Sequence, residues 1–217
     1  MSAVWFIRHA ESEANIGQAT AHPATIKLTP KGIEQANAIA SFFGRSPDLI
    51  ITSPYERTRE TAQPTLRRFS NALHEEWPVE EFTYLSPLNT LTTPFDRKPK
   101  VDAFWQRQDP LYRDGKDTES FTAFIARVRD IIKRLRETKD RSVAVFSHEQ
   151  FILAVQWLFL KNKLEPGSTL CSDSMKQFKE FLSTFRLPNG AILPVQLIDD
   201  GQTWISSVTT SHLSLLY

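Results

Sequence analysis

Cysteine and glycine are scarce in this sequence of 217 residues, which contains one cysteine and seven glycines. The single cysteine, Cys171, excludes an intramolecular disulfide and a zinc site built from several cysteines. None of the glycines forms a P-loop or a G-x-S-x-G nucleophile elbow. The residue six positions after Cys171 is Gln177, and a cysteine-dependent phosphatase would need arginine there.

The sequence also lacks an excess of charge and a long apolar run. It has 26 Lys and Arg against 25 Asp and Glu, a formal net charge of +1. The longest apolar segment, Phe151–Leu160, is interrupted by Gln156 and is too short to span a bilayer. Arg8 interrupts the N-terminus before any segment long enough for a signal peptide. We therefore expect no nucleic-acid partner, no membrane association and a cytoplasmic location.

The overall composition is that of an ordinary globular protein. Hydrophobic residues make up 41% and charged residues 24%, close to average usage. The length suits one large domain with its own core. We predict a single domain over residues 1–217.

Strand and helix signals alternate along the chain. Strands are predicted at Ala3–Ile7, Leu49–Thr52, Val79–Leu85, Ser142–Ser147, Gly190–Ile198 and Thr203–Thr210, the last two as a hairpin across Asp199–Gly201. Helices are predicted at Pro30–Phe43, Pro54–Phe69, Phe121–Leu135, Phe151–Phe159 and Met175–Phe185. Thr29 and Ser53 are the expected N-caps of the first two helices, and Gly44 is the expected end of the first. The alternation predicts an α/β fold, a three-layer αβα sandwich with a mostly parallel central sheet.

Residues 86–118 interrupt this alternation. Four prolines stand there among charged and aromatic residues: Pro87, Pro94, Pro99 and Pro110. Irregular segments of this length are uncommon unless they are functional or disordered. We predict an irregular cap region inserted into the domain.

Two arginines and two histidines follow the predicted strands. Arg8 and His9 come after the first strand, Arg57 lies one turn into the helix after the second, and His148 follows Ser142–Ser147. The carboxyl ends of parallel strands share one edge of a sheet, where ligands bind. Arginine and helix N-termini suit a phosphate group there. Taken singly, such an arginine is more often an ion-pair partner and such a histidine more often a structural residue, but the convergence of four residues from three distant segments favours a site.

The other histidines, His22, His74 and His212, lack partners at metal-ligand spacing, apart from a weak His74–Glu76 cluster. We interpret this cluster as a solvated turn, and we predict no metal site.

Several segments together resemble the motifs of the histidine phosphatase superfamily, which includes the cofactor-dependent phosphoglycerate mutases. Phe6–Ser12 resembles its Arg-His-Gly-Glu signature. Further segments that resemble the family, in the family's order, are Leu28–Gly32, Ser53–Ala62, Glu119–Phe121 with Arg127, Val145–His148 and Pro188–Gly190. The resemblance covers most of the chain, and it predicts a phosphatase.

The resemblance implies a mechanism without metal or cofactor. His9 would attack phosphorus and form a phosphohistidine, while its second ring nitrogen donates to a carbonyl. The phosphoryl oxygens would be bound by Arg8, Arg57 and His148, with Ser12 and Asn15 at the family's further phosphate-contact positions. Alternatively, Ser12 is a helix cap and Asn15 a surface residue.

A phosphate monoester also needs a proton donor for its alcohol. The resemblance places this acid after the second strand–helix unit, where Glu80 and Glu81 stand in Pro78–Thr83. Glu81 is the preferred candidate and Glu80 the second, and a solvated carboxylate without a role is the alternative. Such an acid needs a raised pKa.

Two departures from the family pattern bear on function. Ala10 stands where many relatives have glycine, and we expect alanine to be compatible there. The Arg-His-Tyr-Gly stretch of the mutases is absent beside Glu81, which favours hydrolysis over a phosphoglycerate-mutase-like phosphotransferase. A non-catalytic phosphate-binding relative is the third alternative.

The expected partners are a small phosphorylated substrate, or a phosphoprotein, and inorganic phosphate as product; the sequence leaves the oligomeric state open. Residues 86–118 would either select the leaving group or pack against the domain. Their aromatic and basic residues are Phe95, Phe104, Trp105, Tyr112, Arg97, Lys98, Lys100, Arg107 and Arg113.

Overall fold

The computed structural model describes residues 2–86, 90–139, 141–161, 170–198 and 202–216. The strands are β1 (Ser2–Arg8), β2 (Leu49–Thr52), β3 (Leu73–Glu76), β4 (Ser142–Ser147), β5 (Ile192–Leu197) and β6 (Thr203–Ile205). The helices are α1 (Pro30–Phe42), α2 (Glu56–Arg68), α3 (Pro94–Arg107), α4 (Phe121–Glu137), α5 (Glu149–Leu160) and α6 (Ser172–Thr184). Two 3-10 turns lie at Pro23–Thr25 and Ser211–Leu216.

The six strands form one sheet in the order β3-β2-β4-β1-β5-β6. The first four strands are parallel, and β5 and β6 continue the sheet in antiparallel pairing. β4 lies between β1 and β2, so three strands that are distant in sequence end side by side. The predicted α/β fold with a mostly parallel sheet is confirmed, with an antiparallel edge.

Helices cover both faces of the sheet. Alternate residues of β4 point to opposite faces, as in any strand: Val143 and Val145 belong to the core under α4, α5 and α6, whereas Ala144 and Phe146 belong to the core under α1 and α2. α4 is the clearest amphipathic helix, and its seven buried residues form one apolar face. None of the described helices is long and apolar enough to cross a membrane.

Two caps explain where the helices on the two faces begin. The hydroxyl of Thr29 accepts the N–H of Gly32 at 3.0 Å, and Pro30 occupies the first turn of α1. The hydroxyl of Ser120 accepts the N–H of Ala123 at 3.2 Å at the start of α4. Each cap satisfies an N–H group that has no partner within its helix.

Two predicted helix boundaries are wrong. α2 begins at Glu56 after Tyr55, two residues later than the Ser53-Pro54 pair predicts, and the Tyr55 side chain makes no capping bond. α1 ends before Phe43, whose backbone is extended, and Gly44 has no positive φ. The helix therefore ends without the left-handed glycine of a Schellman cap.

The predicted strand at Val79–Leu85 is wrong, and β3 takes its place in the sheet. β3 pairs with β2 in parallel register at one edge. Its Leu73 is exposed, so the edge strand carries no hydrophobic alternation that would reveal it. The apolar side chains of Val79 and Phe82 pack into the core, although neither residue belongs to a strand. The His74–Glu76 cluster belongs to β3 and is not a turn.

Residues 86–118 contain a helix, which corrects the expectation of a wholly irregular segment. Thr93 and Asp96 form a capping box at the start of α3, with Pro94 in the first turn. The signal is the same threonine–proline pair that marks α1. Pro99 lies inside α3, and interior prolines usually argue against a helix.

The end of the chain forms shorter strands than predicted. β5 covers Ile192–Leu197 and β6 covers Thr203–Ile205. Thr209 contributes one isolated bridge to Ile192. The predicted hairpin turn at Asp199–Gly201 lies outside the described residues.

Gly32 lies where the start of α1 meets the chain that follows β1. The N–H of Thr29 donates to the carbonyl of Glu11 at 3.0 Å. A Cβ on Gly32 would lie 2.0 Å from that same Glu11 oxygen. The position therefore needs glycine because of a close backbone approach.

Replacing Gly32 by alanine should lower the free energy of unfolding by about 1–3 kcal/mol, the usual cost of overpacking. Gly44→Ala is the matched control, because its Cβ would meet no atom within 4 Å. Thermal unfolding followed by circular dichroism measures both variants. Equal melting temperatures for Gly32→Ala and Gly44→Ala would contradict the close contact.

Candidate active site

His9 is the first residue after β1, at the carboxyl edge of the sheet. It is 4% exposed, and its backbone N–H continues the ladder to Ser147 at 2.9 Å. Its Nδ1 lies 2.8 Å from the carbonyl oxygen of Ala10. Because a carbonyl only accepts, Nδ1 carries the hydrogen, and Nε2 keeps a lone pair.

The backbone of Ala10, which orients this ring, is itself held from two sides. Its N–H donates to Thr61 of α2 at 3.0 Å. The side-chain amide of Asn189 donates to the carbonyls of His9 and Ala10 at 3.1 and 3.4 Å. Ala10 does not adopt a positive φ, so alanine is compatible with this position, as expected.

His148 is the N-cap residue of α5, and both of its ring nitrogens have partners. Nδ1 lies 2.9 Å from an Arg57 nitrogen and Nε2 lies 2.8 Å from the Ser53 hydroxyl. A guanidinium only donates, so Nδ1 accepts and Nε2 donates. Ser53 in turn lies 2.8 Å from the Thr58 hydroxyl, which donates to the carbonyl of Tyr55 at 2.7 Å. The predicted cap Ser53 therefore orients His148.

The two predicted arginines flank these histidines. The Arg57 guanidinium also donates to the carbonyl of Pro23 at 2.6 Å. Arg8 donates to the carbonyl of Leu187 and lies 3.2 Å from a Glu149 carboxylate oxygen. Among the described residues, Nε of Arg8 is a buried donor without a hydrogen-bond partner.

Burial and positive charge determine the protonation of this cluster. Burial lowers the pKa of His9 well below its usual value, and the nearby Arg57 and Arg8 charges lower it further. Burial and Arg57 likewise lower the pKa of His148. Burial lowers the pKa of Arg57 to about 10, so it remains a cation at neutral pH. Two neutral imidazoles, with ring centroids 5.2 Å apart, thus lie beside two cations.

Glu81 reaches the same cluster from the segment after β3. One of its carboxylate oxygens accepts the N–H of Gln150 in the first turn of α5 at 3.0 Å. Burial raises the pKa of Glu81, although the nearby Arg57 charge lowers it. Glu80 points elsewhere, with its carboxylate 3.9 Å from Arg127.

Ser12 and Asn15 lie in the chain that follows His9. The side-chain oxygen of Asn15 accepts the N–H and the hydroxyl of Ser12 at 3.0 and 2.8 Å, and the amide of Asn189 at 3.0 Å. The structure thus ties both residues to the loop that bears His9. Their contact with phosphate stays a prediction.

A cavity of about 230 Å³ opens beside Arg57 and Glu81. Its other lining residues include Thr20, Pro23, Ile26, Tyr55, Phe82, Thr83, Tyr84, Leu85, Thr92, Arg97 and Val101. Of the predicted cap residues, Phe104 and Trp105 are buried in the core, whereas Phe95 is exposed. A larger groove of about 750 Å³ between α1 and α2 contains none of the site residues.

Three residues that hold the site were not predicted from the sequence: Thr61 accepts from Ala10, Asn189 donates to His9, and Glu149 pairs with Arg8. Asn189 lies in a segment already noted for its resemblance, but nothing in the pattern indicated its partner. Among the described residues, no group of three His, Cys, Asp or Glu side chains could hold a metal ion.

Comparisons with known proteins identify the family of this chain. The sequence model of the histidine phosphatase superfamily, branch 1, matches residues 4–204. The adenosylcobalamin/alpha-ribazole phosphatase of Salmonella typhimurium is 27% identical over 158 residues, 67% of this chain and 73% of that protein. Its Escherichia coli K12 counterpart is 29% identical over 159 residues, again 67% of this chain and 73% of that protein.

Solved structures show the same fold. A putative alpha-ribazole-5'-P phosphatase from Escherichia coli has a TM-score of 0.72 at 22% identity, covering 96% of each chain. A phosphoserine phosphatase from Entamoeba histolytica, in complex with 3-phosphoglyceric acid, has a TM-score of 0.70 at 22% identity, covering 98% of this chain and 100% of that one. The family match spans most of the sequence, so the chain belongs to branch 1 of the histidine phosphatase superfamily, and the predicted enzyme class, a phosphatase of the histidine type, is confirmed.

Proposed function

We propose that this protein is a metal-independent phosphomonoesterase that works through a phosphohistidine on His9, with Glu81 as general acid. One observation carries the proposal: the lone pair of His9 Nε2 is kept available, because Nδ1 carries the hydrogen bonded to Ala10. The two cations Arg8 and Arg57 lie beside it, as the lowered pKa of His9 reflects.

In the first half of the reaction, His9 Nε2 forms a bond to phosphorus as the bond from phosphorus to the ester oxygen breaks. Glu81 gives its proton to that oxygen, which leaves as a neutral alcohol. The raised pKa of Glu81 supports this role, since an acid must hold its proton at the working pH.

In the second half, water attacks the phosphohistidine. The Glu81 carboxylate takes a proton from this water, the bond from phosphorus to Nε2 breaks, and inorganic phosphate leaves. Both enzyme groups thereby return to their initial protonation states.

The phosphoryl charge is assigned to Arg8, Arg57 and His148. The buried Nε of Arg8 is a donor available to a phosphoryl oxygen. A bound dianion would raise the pKa of His148, and protonation of Nδ1 would replace the hydrogen bond from Arg57 by an N–H that can donate to the phosphoryl group. Ser12 and Asn15 are assigned to further contacts with the same group.

The leaving group is assigned to the cavity beside Arg57 and Glu81. Its volume of about 230 Å³ suits a small organic group, below the usual size of a drug-like ligand site. Relatives described as alpha-ribazole and phosphoserine phosphatases also point to small phosphorylated molecules. Arg97 and Val101 of α3 line the cavity, which supports a role of the cap in choosing the leaving group.

His9→Ala should lower the hydrolysis of p-nitrophenyl phosphate in EDTA by about 10³-fold or more, as expected for the loss of a nucleophile. His74→Ala is the control, because His74 is not one of the proposed site residues. It lies on the edge strand β3, where it contacts Thr52 at 3.0 Å. Steady-state assays and trapping of phosphoenzyme under alkaline conditions measure the effect.

Unchanged activity of His9→Ala would contradict the proposed nucleophile. Stimulation by a bisphosphoglycerate primer, with transfer in place of hydrolysis, would favour the mutase alternative. Phosphate binding without any phosphoenzyme in the wild-type protein would favour the non-catalytic alternative.

Glu81→Gln should lower kcat/KM for ethyl phosphate by about 10²–10⁴-fold, the usual range for general acid catalysis. The loss on p-nitrophenyl phosphate should be much smaller, because p-nitrophenolate leaves without a proton. Glu80→Gln is the matched control. Selectivity that appears in Glu80→Gln instead would transfer the role of the acid to Glu80.

The pH dependence of kcat/KM should report the protonation of His9 at low pH and of Glu81 at high pH. Because the pKa of His9 is lowered, kcat/KM should hold well below pH 6.5 before His9 becomes protonated. Because the pKa of Glu81 is raised, kcat/KM for ethyl phosphate should fall as pH rises through that pKa. Comparing wild type with Glu81→Gln on the same substrate cancels the ionisation of the substrate. A falling limb that persists in Glu81→Gln would contradict the assignment.

A further inference from the structure

The segment that carries Glu81 has no strand ladder to hold it. Residues 78–84 lie between β3 and the cap and form neither strand nor helix. A proton donor works only when its geometry is held closely, since a misplacement of about 1 Å costs about 10²-fold in rate. Other contacts must therefore provide the precision that the sheet gives to His9.

Two side chains around the start of α4 make those contacts on both sides of Glu81. Arg127 donates to the carbonyl of Pro78 at 2.9 Å and to the carbonyl of Glu80 at 3.1 Å. The carboxylate of Glu119 accepts the N–H of Thr83 at 3.4 Å. The backbone N–H of Glu119 donates to the Thr83 carbonyl at 2.8 Å.

Arg127 and Glu119 also hold each other. Two nitrogens of the guanidinium donate to the two carboxylate oxygens, each at 2.7 Å. The side chains are only 13% and 22% exposed. A bidentate pair of this kind fixes both groups geometrically, and so it connects the two anchored sides of the Glu81 segment.

An aromatic stack adds a further contact between the Glu81 segment and α4. Phe82, the residue after Glu81, stacks on Phe124 of α4 with a centroid distance of 4.4 Å and an interplanar angle of 13°. The Arg127 guanidinium lies 5.3 Å from the Phe124 ring centroid. The residue before Glu81 is therefore held to α4 through its carbonyl, and the residue after Glu81 is held to α4 through its ring.

We propose that Arg127 and Glu119 form a positioning pair for the general acid, and this inference rests on the role proposed for Glu81. The pair touches no reacting atom. It acts by holding the backbone that aims the Glu81 carboxylate at the leaving oxygen. Damage to the pair should thus affect proton donation and spare the phosphate site.

The test is the leaving-group dependence of kcat/KM in Arg127→Lys. Lysine keeps the charge but cannot make the bidentate pair and both carbonyl contacts. We expect kcat/KM to fall about 10²-fold on ethyl phosphate and to change little on p-nitrophenyl phosphate. Introduced into Glu81→Gln, the same substitution should cause no further loss on ethyl phosphate.

Arg134→Lys is the matched control. Arg134 lies on the same helix, pairs with Glu75 at 3.1 Å and stacks on Trp77 at 3.7 Å, but it makes none of the contacts to residues 78–83. Its substitution should leave the ratio of the two kcat/KM values unchanged.

Glu119→Gln is the second variant. The amide oxygen of glutamine can still accept the N–H of Thr83, so we expect this variant to fold. It should show the same selective loss as Arg127→Lys. Equal losses on both esters, or a further loss in the Glu81→Gln background, would overturn the positioning role.

The acid role of Glu81 and the positioning role of Arg127 and Glu119 fail in different ways. If Glu81→Gln itself loses both esters equally, the proposed acid fails and the positioning role fails with it. If Glu81→Gln is selective while Arg127→Lys and Glu119→Gln are not, only the positioning role is overturned.

Discussion

The orientation of the backbone at Ala10 determines what His9 can do. The Ala10 carbonyl accepts the Nδ1 hydrogen of His9, the Ala10 N–H donates to Thr61, and the Asn189 amide donates to the carbonyls of His9 and Ala10. These contacts come from α2 and from the chain before β5, so elements distant in sequence fix one imidazole. The fold therefore orients that ring before any substrate binds.

Burial of charge is the second constraint on the site. Arg57 donates to the Pro23 carbonyl and to the His148 ring, with the Glu81 charge nearby, and Arg8 donates to the Leu187 carbonyl and pairs with Glu149. Burial lowers their pKa values and those of both histidines. A site with excess positive potential and neutral imidazoles favours a dianion, because the anion relieves the repulsion between the cations. The same burial raises the pKa of Glu81, which places a carboxyl group that favours its protonated form near a neutral imidazole.

The sequence predicted the central part of this structure well because its signals there are local. The strands β1, β2 and β4 are buried apolar runs, and α1 carries a threonine cap and a following proline. The residues just past such strands must meet at one edge of a parallel sheet. Prediction failed where a long-range contact decides the structure. The edge strand β3 is exposed and has no apolar pattern, and Ser53 orients His148 in place of capping a helix.

The two halves of the proposed chemistry also differ in whether backbone ladders or side-chain contacts hold their residues. The proposed nucleophile and its cations lie on the parallel strands and the helices that follow them, where hydrogen-bond ladders fix the backbone. The proposed acid and part of the cavity lining lie on residues 78–86 and 90–101, where side chains such as Arg127 and Arg97 hold the backbone instead. Contacts made by side chains can change by substitution without rebuilding a sheet. A fold arranged in this way can keep one phosphate chemistry while the groups that meet the alcohol change.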